Sequence, residues 1–194
     1  MAAEAEVKVP SIYERIPIDH YAAIGRAVAT WADFEFTIDR AIWRLMGTEQ
    51  AVGACLTSQY NSVFGRLDAL ISLVDLFRIS EKVCKDLRKF EGSLGSLNTQ
   101  RNRIVHDPRF LRGRDQAIGR FEVTAKASLI FGWQEETVKE LTEFCLKVDA
   151  KRKDFLDIWL VILTRIEKTP GLLLAQFPRI VLDDLEKLSP TTDN

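Results

Sequence analysis

The residues best suited to chemistry stand in one short stretch, Gln100-Arg101-Asn102-Arg103-Ile104-Val105-His106-Asp107-Pro108. It holds one of the chain's two histidines beside two arginines and an asparagine. An imidazole with an ordinary pKa of about 6.5 takes or gives a proton near neutrality. A guanidinium keeps its charge and offers five donors in a planar fork. Asn102 and His106 are four positions apart, so on a helix they share a face. That face adjoins the edge of the apolar stripe, where it can open to a groove or to a second subunit. A lone histidine at this place more often caps a helix end through a carbonyl, but the company of Arg101, Asn102 and Arg103 favours a functional role. The other histidine, His20, falls in the first turn of the first helix and reads as surface or structural.

The elements that position this stretch follow from hydrophobic periodicity. Asp19 can cap a helix running to Met46 with Gly47 as its stop, and Ile24, Ala27, Trp31, Phe34, Ile38, Ile42 and Leu45 form its stripe. Residues 48–59 hold a short segment with Cys55 and Leu56 inward. Asn61 or Ser62 opens a second long helix, with Phe64, Leu67, Ile71, Val74 and Phe77 facing the core. Ser80 caps a third, carrying Val83, Leu87, Phe90, Leu94, Leu97, Ile104 and Val105. Gly92 and Gly95 weaken it enough to kink or break it. Pro108 disfavours helix at Asp107 and ends it. An arginine-rich loop follows. Residues 120–124 and 128–131 then read as a β-hairpin, marginal unless it lies on the helices. A last helix runs from Gln134 or Glu135 to Lys168 on Val138, Leu141, Cys145, Val148, Phe155, Trp159, Ile162 and Ile166. The fold class is therefore all-α: an antiparallel up-and-down bundle of four or more helices with a small hairpin insertion near residues 120–131. Residues 1–18 form an arm, 19–188 the helical domain and 189–194 a disordered tail.

Two charges sit inside apolar stripes. At 100° per residue, Arg101 falls among Leu94, Leu97, Ile104 and Val105, and Glu35 falls among Trp31, Ile38 and Ile42. Charges are seldom buried unpaired, so a Glu35–Arg101 ion pair across the bundle is expected, with snorkelling to an edge as the alternative. Arg152 also lies in a stripe, and snorkelling is expected for it.

Composition narrows the function classes. Hydrophobic residues make up 46% and charged residues 28%, enough for a real core. The formal net charge of −1 argues neither for nor against a nucleic-acid partner. Its distribution is more informative. Between Arg101 and Arg120 six arginines stand against two aspartates, and the cations include Arg103, Arg109, Arg112 and Arg114. Such a segment offers sequence-independent phosphate contacts, unless it is merely a solvated loop. The cysteines, Cys55, Cys84 and Cys145, have no metal-ligand or disulfide spacing and read as reduced core residues of a cytoplasmic protein. Residues 1–9 carry no apolar signal region. The most apolar run, Ile158–Ile166, is too short to span a bilayer, so no membrane partner is expected.

Read as arginine, polar residue, three further positions and histidine, Arg101-Asn102 and His106 resemble the motif of HEPN domains. These are all-helical proteins that include metal-independent ribonucleases of toxin, defence and RNA-processing systems. The resemblance covers residues 19–168 as fold and Arg101–His106 as motif. It implies that Arg101 and His106 are the catalytic pair, that Asn102 orients the site or contacts phosphate, and that Glu35 supports the arginine. It implies an RNA substrate, a homodimer with the two motifs at its interface, and no cofactor or metal. In that chemistry the 2′-OH attacks the adjacent phosphate and leaves a 2′,3′-cyclic phosphate. An antitoxin or regulatory protein partner would fit the toxin members. One toxin branch has a modifiable tyrosine two residues after the histidine; Pro108 stands there in this chain, which puts that control in doubt. The alternatives are a non-catalytic HEPN-like module that binds nucleotide, RNA or a protein partner, and a purely structural bundle.

Overall fold

The computed structural model describes residues 16–112, 117–126 and 128–168. The expected arm through residue 15, the apolar segment 172–177 and the tail 189–194 lie outside them. The described residues form six helices and a three-stranded antiparallel sheet, mostly helical with a small β insertion. They divide into two compact units, Met1–Thr37 with Gly92–Lys153, and Ile38–Glu91 with Asp154–Asn194. Helices α1 (Ile18–Met46) and α6 (Val138–Lys168) contribute to both.

The second unit contains the C-terminal part of α1, α2 (Gln50–Thr57), α3 (Val63–Leu76), α4 (Glu81–Gly92, up to Glu91) and the later part of α6. Its core is built by Ile38, Ile42, Leu45, Leu67, Leu70, Val74, Leu87, Phe90, Phe155 and Ile162, all buried. The expected stops and starts are present. Gly47 adopts φ 63°, and Thr48 N donates to Trp43 O, closing α1. Ser62 Oγ accepts from Gly65 N at 3.2 Å and opens α3. In α2 the inward face differs from the expected one. Cys55 and Leu56 are exposed, and Gly53 and Thr57 are buried. The Trp43 indole sets that rotation. Its Nε1 donates to Thr57 Oγ1 at 3.1 Å, and its ring lies so near Gly53 that a Cβ there would fall 2.4 Å from Cγ.

The first unit contains the N-terminal part of α1, α5 (Gly95–His106), strands β1 (Arg109–Arg112), β2 (Ala117–Lys126) and β3 (Ser128–Glu135), and the start of α6. Ala27, Trp31, Phe34, Leu94, Leu97, Ile104, Leu141, Phe144 and Val148 are buried here, and Trp31 stacks on Phe144. The third periodic segment breaks at its glycine pair, which separates α4 from α5. Val105, at the edge of the stripe, is exposed rather than inward. Asp107 is extended at φ −75°, ψ 131°, as a residue before proline should be. The sheet is larger than the expected hairpin, because Arg109–Arg112 is a third strand and not loop. Its order is β1-β2-β3, with Arg109 opposite Arg120 and Phe121 opposite Trp133. The last helix begins later than expected. Gln134 and Glu135 belong to β3, and α6 starts after Thr137, whose Oγ1 accepts from Glu140 N while Thr137 N donates to Glu140 Oε2. This is a reciprocal capping box. No helix among the described residues is long and apolar enough to cross a membrane.

Candidate functional site

The last turn of α5 carries the motif. Arg101 is half-buried, and its Nη1 donates to Asn102 Oδ1 at 3.1 Å. Asn102 and His106 are both exposed on one face. With Oδ1 taken by the guanidinium, the Asn102 amide nitrogen is left to donate outward. Glu35 is half-buried on α1. The expected salt bridge from it to Arg101 is not made, since the guanidinium finds its acceptor on the next residue. Arg152 does not simply snorkel either: it pairs with Asp33 and Asp149.

The arginines expected to meet RNA have a different environment. Arg103 lies between Asp107 Oδ1 at 3.4 Å and Glu122 Oε1 at 2.7 Å. Arg109, with 10% of its side chain exposed, holds Glu136 by two bonds, Nε to Oε1 at 2.7 Å and Nη2 to Oε2 at 3.1 Å. The same guanidinium donates to the carbonyls of Ile104 at 2.7 Å and Asp107 at 3.2 Å, closing the C-terminus of α5 from a neighbouring strand. Arg120 donates to Asp107 Oδ2 at 2.7 Å. On the far side His20, 1% exposed, meets Glu136 Oε1 at 3.0 Å. A carboxylate only accepts, so the Nε2 proton of His20 points at it. The second histidine is thus structural, and it is deeply buried rather than at the surface.

Arg109 and Arg120 are directly opposite each other across the strand pair, where like charges repel. Asp107, Glu122 and Glu136 offset that repulsion, giving three arginines against three carboxylates in the cluster. Arg103 and Arg109 are therefore pieces of the fold before they are phosphate ligands. The Arg112 side chain and Arg114 lie outside what is described. Sequence reading missed Glu122 and Glu136 as partners. The available signal was the repeated Arg-Phe pair, Arg109-Phe110 and Arg120-Phe121, which sends arginine to one face of a sheet and phenylalanine to the other.

A cavity of about 250 Å³ lies beside this cluster, lined by Gln100, Arg103, Arg120, Glu136, Glu140 and Lys147 among others. Among the described residues no group of three His, Cys, Asp or Glu side chains converges as a metal site. What the α5 terminus offers is a proton carrier, an outward amide and a fixed positive charge within about one turn, beside a neutralised and rigid support. Comparison with known protein families, with curated proteins and with solved structures finds no match to this chain.

Proposed function

We propose that the first unit is a HEPN-like, metal-independent endoribonuclease whose reacting groups are Arg101, Asn102 and His106. One observation carries the reading. The neighbouring ionic side chains of this segment, Arg103, Asp107, Arg109, Arg120 and Glu122, are engaged in holding the fold. Asn102 and His106 stand exposed beside them, and Arg101 has only a neutral amide as its partner. An exposed histidine that the fold does not use is available for proton transfer.

In the proposed reaction His106 accepts the proton of a ribose 2′-OH as that oxygen attacks the adjacent phosphorus. The P–O2′ bond forms, and the P–O5′ bond breaks. The departing 5′-oxygen takes a proton from solvent or from the His106 of a second copy. The products are a 2′,3′-cyclic phosphate and a 5′-hydroxyl. Arg101 neutralises charge growing on the non-bridging oxygens, and the Asn102 amide donates to one of them. Glu35, on α1, is kept in the proposal only as a support for the arginine at a distance, since no direct bond joins them.

The test is pure protein incubated with mixed RNA in EDTA, with wild type against His106→Ala. Wild type should yield cyclic-phosphate ends and leave single-stranded DNA intact. His106→Ala should retain the wild-type melting temperature and lose cleavage. Cutting by His106→Ala at the wild-type rate would sink the assignment. A second reading, a non-catalytic HEPN-like module for a nucleotide, RNA or protein partner, is favoured by the neutralisation of Arg103 and Arg109, which removes two phosphate contacts. RNA binding without cleavage in the same experiment would select it.

A further inference from the structure

The two faces of the sheet have opposite characters. Side chains alternate along a strand, so Arg109, Arg120 and Glu122 share one face, which meets the end of α5 through Arg103, Asp107 and the Ile104 carbonyl. Phe110, Phe121, Phe131, Trp133 and Leu129 share the other. Each strand contributes a phenyl ring there. Phe110 and Phe121 meet at 6.2 Å between centroids, and Phe121 and Phe131 at 4.8 Å. This face is open: Phe131 is 66% and Leu129 72% exposed, while Phe110, Phe121 and Trp133 are half-buried.

Trp133 gives the face its flatness. A Cβ built on Gly119 would fall 2.1, 2.3 and 2.4 Å from Cε2, Nε1 and Cζ2 of that indole. Three bonded ring atoms at nearly equal distance mean that the indole lies face-down across the strand. Glycine is the residue that permits it. The ring's other side is turned away from the sheet.

We infer that this aromatic face is a stacking platform for the bases of single-stranded RNA, extending the binding site of the proposed nuclease. The inference rests on the RNA reading of Arg101, Asn102 and His106. Flat and exposed rings set side by side on a sheet accept bases of any identity, because every base has a π face. Continuity with the reacting groups supports RNA over a protein occupant. Phe110 follows His106 by four residues, a reach of at most about 14 Å, and it lies on β1, an edge strand of the sheet. A strand of RNA that leaves the α5 terminus therefore meets this edge first. The platform also supplies what the neutralised arginines do not, an affinity that needs little net charge.

The experiment uses a short, uniformly 2′-O-methylated RNA, which cannot be cut, with anisotropy for binding and light scattering for oligomeric state. Phe131→Ala should bind about tenfold more weakly, and with cleavable RNA its KM should rise in parallel. Phe131→Tyr, which keeps a ring, should stay within about twofold of wild type. His106→Ala should bind the probe as wild type does. Because Phe131 is mostly exposed, an unchanged melting temperature separates lost stacking from lost folding. Wild-type binding and KM in Phe131→Ala would overturn the platform and leave the nuclease intact. A change in oligomeric state with unchanged RNA affinity would also overturn it, assigning the face to a second copy. Phe131-dependent binding in a wild type that never cuts would keep the platform and remove the catalytic reading.

Discussion

At the scale of single residues, the same side-chain type has two fates within one segment. Arg101 keeps a neutral partner, whereas Arg109 spends its donors on a carboxylate and on two carbonyls that close α5. Arg109→Ala should therefore act on stability and not chiefly on RNA binding. It would leave Glu136 facing His20 in a buried site without its bidentate partner, at a cost of about 3 kcal/mol. Urea denaturation should show this as a lower midpoint with an unchanged slope. Arg109→Lys should recover only part of it, since an ammonium cannot form the fork and reach both carbonyls at once. A loss under about 0.5 kcal/mol would mean that the cluster is solvated and contributes little. Asn102 and His106 were legible as candidates because a four-residue spacing at a stripe edge is a local property. The fate of Arg103 and Arg109 was not, because it depends on Glu122 and Glu136 from distant strands.

At the scale of elements, local signals placed most boundaries, and the exceptions have identifiable causes. The start of α6 follows the Thr137–Glu140 capping box and not the earlier Gln134 or Glu135, which are held in β3 by pairing with β2. Thr137→Ala should destabilise the protein by about 1 kcal/mol, measurable by thermal melting, while Gln134→Ala at the exposed end of the strand should cost less. In α4, Glu91 is the member that fits least well. Burial pushes its carboxyl above the usual range, nearby Asp68 adds to the rise, and Arg88 opposes it. The folded state thus holds this proton more tightly than the unfolded state. Stability falls as pH rises from the ordinary glutamate range through the raised value. Glu91→Gln, which cannot ionise, should match wild type in acid and exceed it at neutral pH by about 0.5 kcal/mol. Melting curves across that range would check it, and a variant less stable than wild type at neutral pH would contradict the sign.

At the scale of the whole molecule, a net charge of −1 and a neutralised arginine cluster predict a weak salt dependence for RNA binding. If two copies each present one Arg101, about two phosphates are neutralised, and the slope for single strands is near −0.7 per contact. Affinity should then fall only about sevenfold between 50 and 200 mM salt, in titrations of the uncleavable probe. A much steeper fall would show that further arginines, with Arg112 and Arg114 the first candidates, also reach the phosphates. Light scattering on the same samples reports whether two copies are present at all. A strict monomer that still cuts RNA would remove the need for a shared site.

The amino-acid sequence by itself determined the helices, their glycine and proline stops, the core positions and the face shared by Asn102 and His106. Each depends on residues within a turn or two of one another, through periodicity, capping and backbone sterics. Only the tertiary structure decided which charges remain available. The His20–Glu136 contact joins residues 116 positions apart, and the Arg109–Glu136 pair joins residues 27 apart. The third strand, the flat indole over Gly119 and the inward face of α2 were settled in the same way, by what each meets across space. The physical reason is that a charge or a ring takes its energy from the partners and solvent around it, and for these residues the partners come from distant parts of the chain.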